Sequence, residues 1–151
     1  MKTKITYIIS NVNKALAYEW ISAYLNKDKF EINFILLNPG DSELESFLKE
    51  NAIPVERVTY AGKTDLLSAL LKTYRLLKKN RSAIIHTHLF DASLIGLTAG
   101  RMAGVKKRIY TRHHSDYHHE YYPHAIKYDK FINFMATDIV AITQVVKDIL
   151  I

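Results

Sequence analysis

The stretch IIHTHLFDASLIGLTAGRMAGVKKRIYTRHHSD, residues 84–116, reads as strand, helix and strand in immediate succession. SAIIHTHL (82–89) is a short apolar run rich in β-branched residues, and KKRIYTRHH (106–114) ends the unit with another. Between them ASLIGLTAGRMAG (92–104) has a helical period, with Asp91 or Ser93 as its candidate N-cap. Gly96, Gly100 and Gly104 recur every four residues along one stripe of this helix. Missing side chains there let a helix approach a sheet closely. Two continuous apolar strands joined by such a helix predict parallel pairing through a crossover.

The same alternation extends in both directions. KITYIIS (4–10), EINFILLN (31–38) and VERVTY (55–60) read as the first three strands, and DIVAIT (138–143) as the sixth. The first helix is expected from Asn11 or Asn13 as cap to about Lys27, with Val12, Leu16, Trp20 and Tyr24 on its apolar stripe. Ser42 with Glu45 resembles a capping box for a second helix. Thr64 or Asp65 opens a third, with Leu66, Leu67, Leu70, Leu71, Tyr74 and Leu77 on one face. Residues 119–136 read as a further helix with Pro123 in its first turns, and the chain runs out in the amphipathic VVKDILI (145–151), as if part of something longer. The prediction is an α/β fold: one doubly wound Rossmann-like parallel sheet of about six strands over 1–151, in the order 3-2-1-4-5-6.

Composition narrows the class. The chain has 151 residues, 48% of them hydrophobic and 24% charged, which suits one domain with a real core. It has no cysteine, which excludes disulfides and thiolate metal sites. No apolar run is long enough to span a bilayer, so a cytoplasmic protein is expected. The net charge of +6 is uneven: 67–81 carry +5, 101–130 carry +4, and 31–66 carry −4. All seven histidines lie between His86 and His124.

In this topology ligands bind beyond the carboxyl ends of the strands, where the strand order reverses. That point lies between the first and fourth strands. Asn11 and Asn13 flank it on one side and His88 and Asp91 on the other, and the fifth strand delivers Arg112, His113, His114, Ser115 and Asp116 next door. Imidazole can donate to or accept from a phosphate or sugar hydroxyl near neutral pH, and Arg112 could clamp a phosphate. Neither G-x-G-x-x-G nor a Walker A sequence follows the first strand, where SNVNKA stands instead, so a self-contained dinucleotide or ATP site is not expected. The histidine spacing matches no standard zinc motif, so no metal is assigned.

The order His86-Thr87-His88, small-residue helix, Ala103-Gly104-Val105, basic strand and Thr111-Arg112-His113 resembles the N-terminal half of family-4 glycosyltransferases, enzymes of the two-domain GT-B fold. ITYIISNVNKALAYEWISAYLNKDKFEINFILLN and YDKFINFMATDIVAITQVVKDIL extend the similarity over nearly the whole chain. The resemblance implies an acceptor-binding domain of a retaining, metal-independent transferase, acting in surface polysaccharide or glycoconjugate synthesis without a cofactor. Its nucleotide-sugar donor would be held mainly by a C-terminal domain, with its E-x7-E motif, that lies outside this chain. The acceptor would be a glycan or a lipid-linked glycan. His113 matches the reaction-centre histidine, and His114, Ser115 and Asp116 would line the acceptor side. The family's usual glycine pair after the first strand is replaced here by Asn11 to Asn13. The fragment alone is expected to be inactive. The basic helix around Lys72, Arg75, Lys78 and Lys79 would allow peripheral contact with an anionic membrane. The alternative is a non-enzymatic Rossmann-like nucleic-acid-binding module, suggested by the charge and by tyrosines 110, 117, 121 and 122 among basic residues; under the transferase reading no nucleic acid is bound.

Overall fold

A computed structural model describes residues 2–113 and 126–150. Six parallel strands form one sheet in the order β3-β2-β1-β4-β5-β6. They are β1 (Thr3–Ser10), β2 (Phe30–Asn38), β3 (Val55–Thr59), β4 (Ile84–His88), β5 (Lys107–Arg112) and β6 (Asp138–Ala141). The helices between them are α1 (Leu16–Tyr24), α2 (Glu43–Glu50), α3 (Leu66–Asn80, entered through a 3-10 turn at Lys63–Asp65), α4 (Phe90–Met102), α5 (Ile126–Met135) and α6 (Gln144–Leu150). The expected strand order is therefore the observed one.

Alternation along each strand splits the core into two layers. Tyr7, Ile9, Ile32, Phe34 and Leu36 face α1 and α2, where Tyr18, Leu44 and Leu48 complete the packing. Ile8, Ile35, Leu37, Ile85 and Tyr110 face the other way, against Ala69, Leu77, Ile95, Ala99 and Ile132 of α3, α4 and α5.

α4 lies so close to the sheet because of two glycines. A Cβ on Gly96 would sit 2.9 Å from both Ile8 Cδ1 and Thr87 Cγ2, and one on Gly100 would sit 2.2 Å from Ile85 Cδ1. Gly104 meets nothing within 4 Å; it has φ +78° in the turn after α4, so its role is conformational.

The helix ends and faces depart from expectation at several points. Asn11 and Asn13 do not cap α1, which starts at Leu16 after Ala15 and has no side-chain cap. Asn13 instead caps α2: its Oδ1 accepts from Glu43 N at 3.2 Å and its carbonyl from Leu44 N at 2.8 Å. The α1 stripe of Leu16, Trp20 and Tyr24 faces solvent, with Trp20 61% exposed, while Tyr18 and Ser22 face the sheet. On α3 it is Ala69, Thr73 and Leu77 that are buried, and Leu66, Leu67 and Leu71 are exposed. In both helices the buried face is therefore offset from the stripe of largest apolar residues. Neither Asp91 nor Ser93 caps α4, which begins two residues earlier than expected, at Phe90; Ser10 Oγ, from the end of β1, accepts from Ala92 N at 3.2 Å instead. Ser42 caps α2 as expected, accepting from Glu45 N at 3.2 Å, while the Glu45 carboxylate turns to Lys49 at 2.6 Å. Pro123 lies outside the described residues.

The glycine contact can be tested. Gly100→Ala gains about 1 kcal/mol of helix propensity, yet overpacking against the fully buried Ile85 costs about 1–3 kcal/mol. A net loss is expected in urea denaturation. Ile85→Val, which deletes the clashing Cδ1, should recover most of that loss in the double variant. Additive effects in the cycle would show that the contact is not the cause.

Candidate functional site

The carboxyl edge is built where β4 turns into α4 without an intervening loop. His88 closes β4 and Phe90 opens α4, and Leu89 between them takes φ +70°. With ψ 163° this is the extended positive-φ region that glycine otherwise occupies, and it costs a leucine about 1–3 kcal/mol. The Leu89 carbonyl accepts from both Ser93 N at 3.0 Å and Ser93 Oγ at 2.6 Å, which holds the turn.

Across the switch point, the loop after β1 is fastened by a residue the sequence did not single out. Asn38, at the end of β2, accepts from Val12 N at 3.1 Å and donates to Val12 O at 2.6 Å. One amide thus satisfies both backbone groups of a residue in the loop where glycines were expected. Asn11, in the left-handed region at φ +51°, donates to Asp91 Oδ2 at 3.4 Å and so bridges the two halves of the sheet. Tyr60, just beyond β3, also reaches Asp91: burial, together with this carboxylate, pushes its hydroxyl up to about 12. Asn13 stands aside from this group, because its amide is taken by Glu43.

On the α1 side of the sheet a row of rings runs across the strands. Tyr7 stacks on Phe34 (centroids 5.5 Å apart) and on His88 (5.8 Å), and lies 5.1 Å from His86. Tyr18, from α1, meets His88 nearly at right angles at 5.1 Å. His86 and His88 share this face, as their two-residue spacing requires, and their rings are 4.3 Å apart. Each reaches diagonally to β5. His86 Nε2 lies 2.7 Å from Thr111 Oγ1, and His88 Nδ1 lies 3.2 Å from His113 Nε2. Burial lowers His86 to about 4 and His88 to about 3, with charge repulsion from neighbouring imidazoles adding to it. Both are neutral across the physiological range. Burial also lowers His113, which is nevertheless exposed at the end of β5.

Arg112 does not fit the expected phosphate clamp. It is 3% exposed, on the opposite side of the sheet from His113, and paired with the buried Asp129 of α5 at 3.4 Å. A guanidinium held there joins α5 to β5. Arg108 is similarly spent on the carbonyls of Met135 (2.9 Å) and Val105 (2.7 Å). Of the expected site residues, Asn11, His88, Asp91 and His113 lie at the carboxyl edge. His114, Ser115 and Asp116 lie outside the described residues.

The sequence profile of Glycosyltransferase Family 4 matches residues 21–151. The chain belongs to that family. A UDP-Gal:alpha-D-GlcNAc-diphosphoundecaprenol alpha-1,3-galactosyltransferase of Escherichia coli is 28% identical over 120 residues, covering 74% of this chain and 30% of that protein. Among solved structures, a lipopolysaccharide outer core galactosyltransferase in its apo form superposes with TM-score 0.72 at 17% identity, over 98% of this chain and 42% of that one. HepE of Anabaena, solved with UDP, gives 0.73 at 16%, over 97% and 39%. The UDP-GlcNAc 2-epimerase of Methanocaldococcus jannaschii gives 0.73 at 12%, over 98% and 42%. This family-4 chain therefore spans less than half the length of these relatives, and its sheet is the Rossmann-like half of a GT-B architecture.

The histidine pair carries a pH signature. In the unfolded chain both imidazoles titrate near 6.5, whereas in the fold they stay neutral down to about 4 and about 3. The unfolded state thus binds protons first, and the stability conferred by these neutral histidines falls as pH drops below about 6.5. Urea midpoints measured from pH 7.5 to 4.5 should fall more steeply in the wild type than in His86→Gln. Parallel curves would contradict neutral burial.

Proposed function

We propose that this chain is the acceptor-side domain of a retaining, metal-independent glycosyltransferase. It would move a sugar from a nucleotide-sugar to a glycan or lipid-linked acceptor in glycoconjugate synthesis. The observation that carries the reading is His113: in a family-4 chain, an exposed imidazole stands at the carboxyl edge beside the switch point, with its inner nitrogen held by a buried neutral partner. The Escherichia coli relative takes UDP-Gal and a diphosphoundecaprenol-linked sugar, and HepE binds UDP. These support a UDP-sugar as donor and a polyprenyl-diphosphate-linked glycan as acceptor. His113 would hydrogen-bond the transferring sugar or the acceptor and stabilise charge as it develops. Asn11, His88 and Asp91 would shape the acceptor side of the cleft, with His114, Ser115 and Asp116 continuing it. Donor binding would belong mainly to a second domain beyond this chain. The nucleic-acid-binding alternative is not favoured by the family match.

The acceptor's lipid sets where the enzyme would work: in the cytoplasm, at the inner face of the membrane. No helix among the described residues is long and apolar enough to cross a bilayer. On α3, however, the exposed Leu67 and Leu71 continue into the exposed Arg75 and Lys78 at helical spacing, with Lys72 beside them. Apolar residues followed by cations on one face suit an anionic interface.

The 151-residue chain, supplied with UDP-sugars and a polyprenyl-diphosphate-linked acceptor, should show no transfer. Joined to a family donor domain it should show transfer, and His113→Ala should cut kcat by about 10²–10³, the usual scale for losing one such stabilising group, with the thermal midpoint unchanged. Turnover near wild type in that variant would sink the role of His113, and transfer by the short chain would sink the division between domains.

Membrane contact is read separately by flotation. At low salt the chain should rise with phosphatidylglycerol vesicles and not with phosphatidylcholine alone. Arg75→Glu with Lys78→Glu should abolish this, each cation contributing about 1 kcal/mol near an anionic surface. Equal flotation of the variant would remove α3 as the contact.

A further inference from the structure

His88 has a second nitrogen with no hydrogen-bond partner among the described residues: its Nε2 is buried, in a residue only 6% exposed. The other nitrogen, Nδ1, faces His113 Nε2 at 3.2 Å. Two neutral imidazoles in that contact share one proton, and its position has consequences at both outer ends. If Nδ1 of His88 donates, its Nε2 lone pair is buried among rings and His113 shows an N–H outward. If Nε2 of His113 donates, His88 buries an N–H among the rings and His113 shows a lone pair outward.

Tautomer preference selects the second arrangement. Protonation at Nε2 is the form a free imidazole favours, and both rings hold that form at once when His113 donates. The rings packed on His88 are Tyr7, nearly parallel at 5.8 Å, Tyr18, nearly perpendicular at 5.1 Å, and His86 at 4.3 Å. Among the described residues, the groups facing His88 from β1, α1, β4 and β5 carry no charge that would oppose this: Tyr7, Tyr18 and His86 are neutral, and His113 is lowered by its burial.

We infer that His88 is a positioning residue which accepts the Nε2–H of His113 and thereby leaves His113 Nδ1 as a fixed, outward-facing hydrogen-bond acceptor. The substrate group that fits such a nitrogen is a hydroxyl donor, such as a sugar hydroxyl. When Nδ1 takes up a proton, His113 becomes an imidazolium whose Nε2–H already points at the His88 lone pair, and neither ring must turn or change tautomer. The use of this nitrogen in sugar transfer rests on the transferase reading above; the arrangement of the protons does not.

The test is therefore spectroscopic and needs no turnover. In the 151-residue chain labelled with ¹⁵N-histidine, one ring proton should show a one-bond coupling to His113 Nε2 and a coupling through the hydrogen bond to His88 Nδ1. His113→Gln assigns the signals. A one-bond coupling to His88 Nδ1 instead, or no shared proton, would overturn the inference. His88→Phe keeps a ring in the aromatic row but removes the acceptor, so the pKa of His113 should fall further. His88→Asn, with a carbonyl near the place of Nδ1, should restore it. An unchanged His113 pKa in His88→Phe would leave His88 a packing role only. The wild-type couplings decide the matter even where a variant fails to fold. Correct couplings in a chain whose full-length form transfers no sugar would refute the transferase reading and leave this one standing.

Discussion

The close contact of α4 with the sheet sets the rest of the structure. Without side chains at Gly96 and Gly100, the helix rests directly on Ile8, Ile85 and Thr87. The helix then has no room to start after a loop, and it begins two residues beyond the end of β4. Leu89 absorbs the turn in a strained conformation, and the helix N-terminus arrives against Ser10. Ser10 in turn ends β1, so the same contact ties together the two strands between which the sheet changes direction. His88 is the last residue before that turn, and it is buried on the opposite, α1 side of the sheet among Tyr7, Tyr18 and His86.

The electrostatics of the edge are those of removal rather than accumulation. A net charge of +6 suggests a basic surface, but Arg108 and Arg112 point their guanidinium groups into the α4–α5 side and are consumed there by carbonyls and by Asp129. His86 and His88 lose their charge to burial. Among the described residues, what remains at the end of β5 is the exposed imidazole of His113 beside an uncharged aromatic row. Its hydrogen-bond contact there is with the neutral His88, so that bond tunes it. Exposed cations are spread over the rest of the described surface, those of α3, on the other side of the sheet, among them.

Much of this was legible in the chain itself. Strand order followed from apolar runs alternating with helical periods, and the shared face of His86 and His88 from their two-residue spacing. The packing role of Gly96 and Gly100 followed from their stripe. What misled was the assumption that the largest apolar residues mark the buried face. On α1 it is Tyr18 and Ser22 that face the sheet, while Trp20 is turned to solvent. Caps failed where long-range partners intervened, since nothing in the local sequence relates Ser10 to Ala92 or Asn13 to Glu43. Arg112 read as a ligand group because its charge was visible and Asp129, seventeen residues on, was not seen as its counterion. Asn38 and Tyr60 carried no motif, although each ends or follows a strand at the predicted ligand edge, which was the available signal.

The fold itself does not separate transferases from epimerases, since UDP-GlcNAc 2-epimerases superpose on this chain as well as galactosyltransferases do. A shared sheet edge is what the geometry alone can supply. The distinction has to come from side chains at that edge, and here the family profile and the H-x-H and T-x-H elements agree. A strand that ends in a buried imidazole next to one that ends in an exposed imidazole places a polarised nitrogen at a single point in space. The buried ring costs stability below neutral pH, a cost that packing alone would not require, because a phenyl ring could fill the same row. A histidine retained at that depth makes physical sense as the group that orients His113.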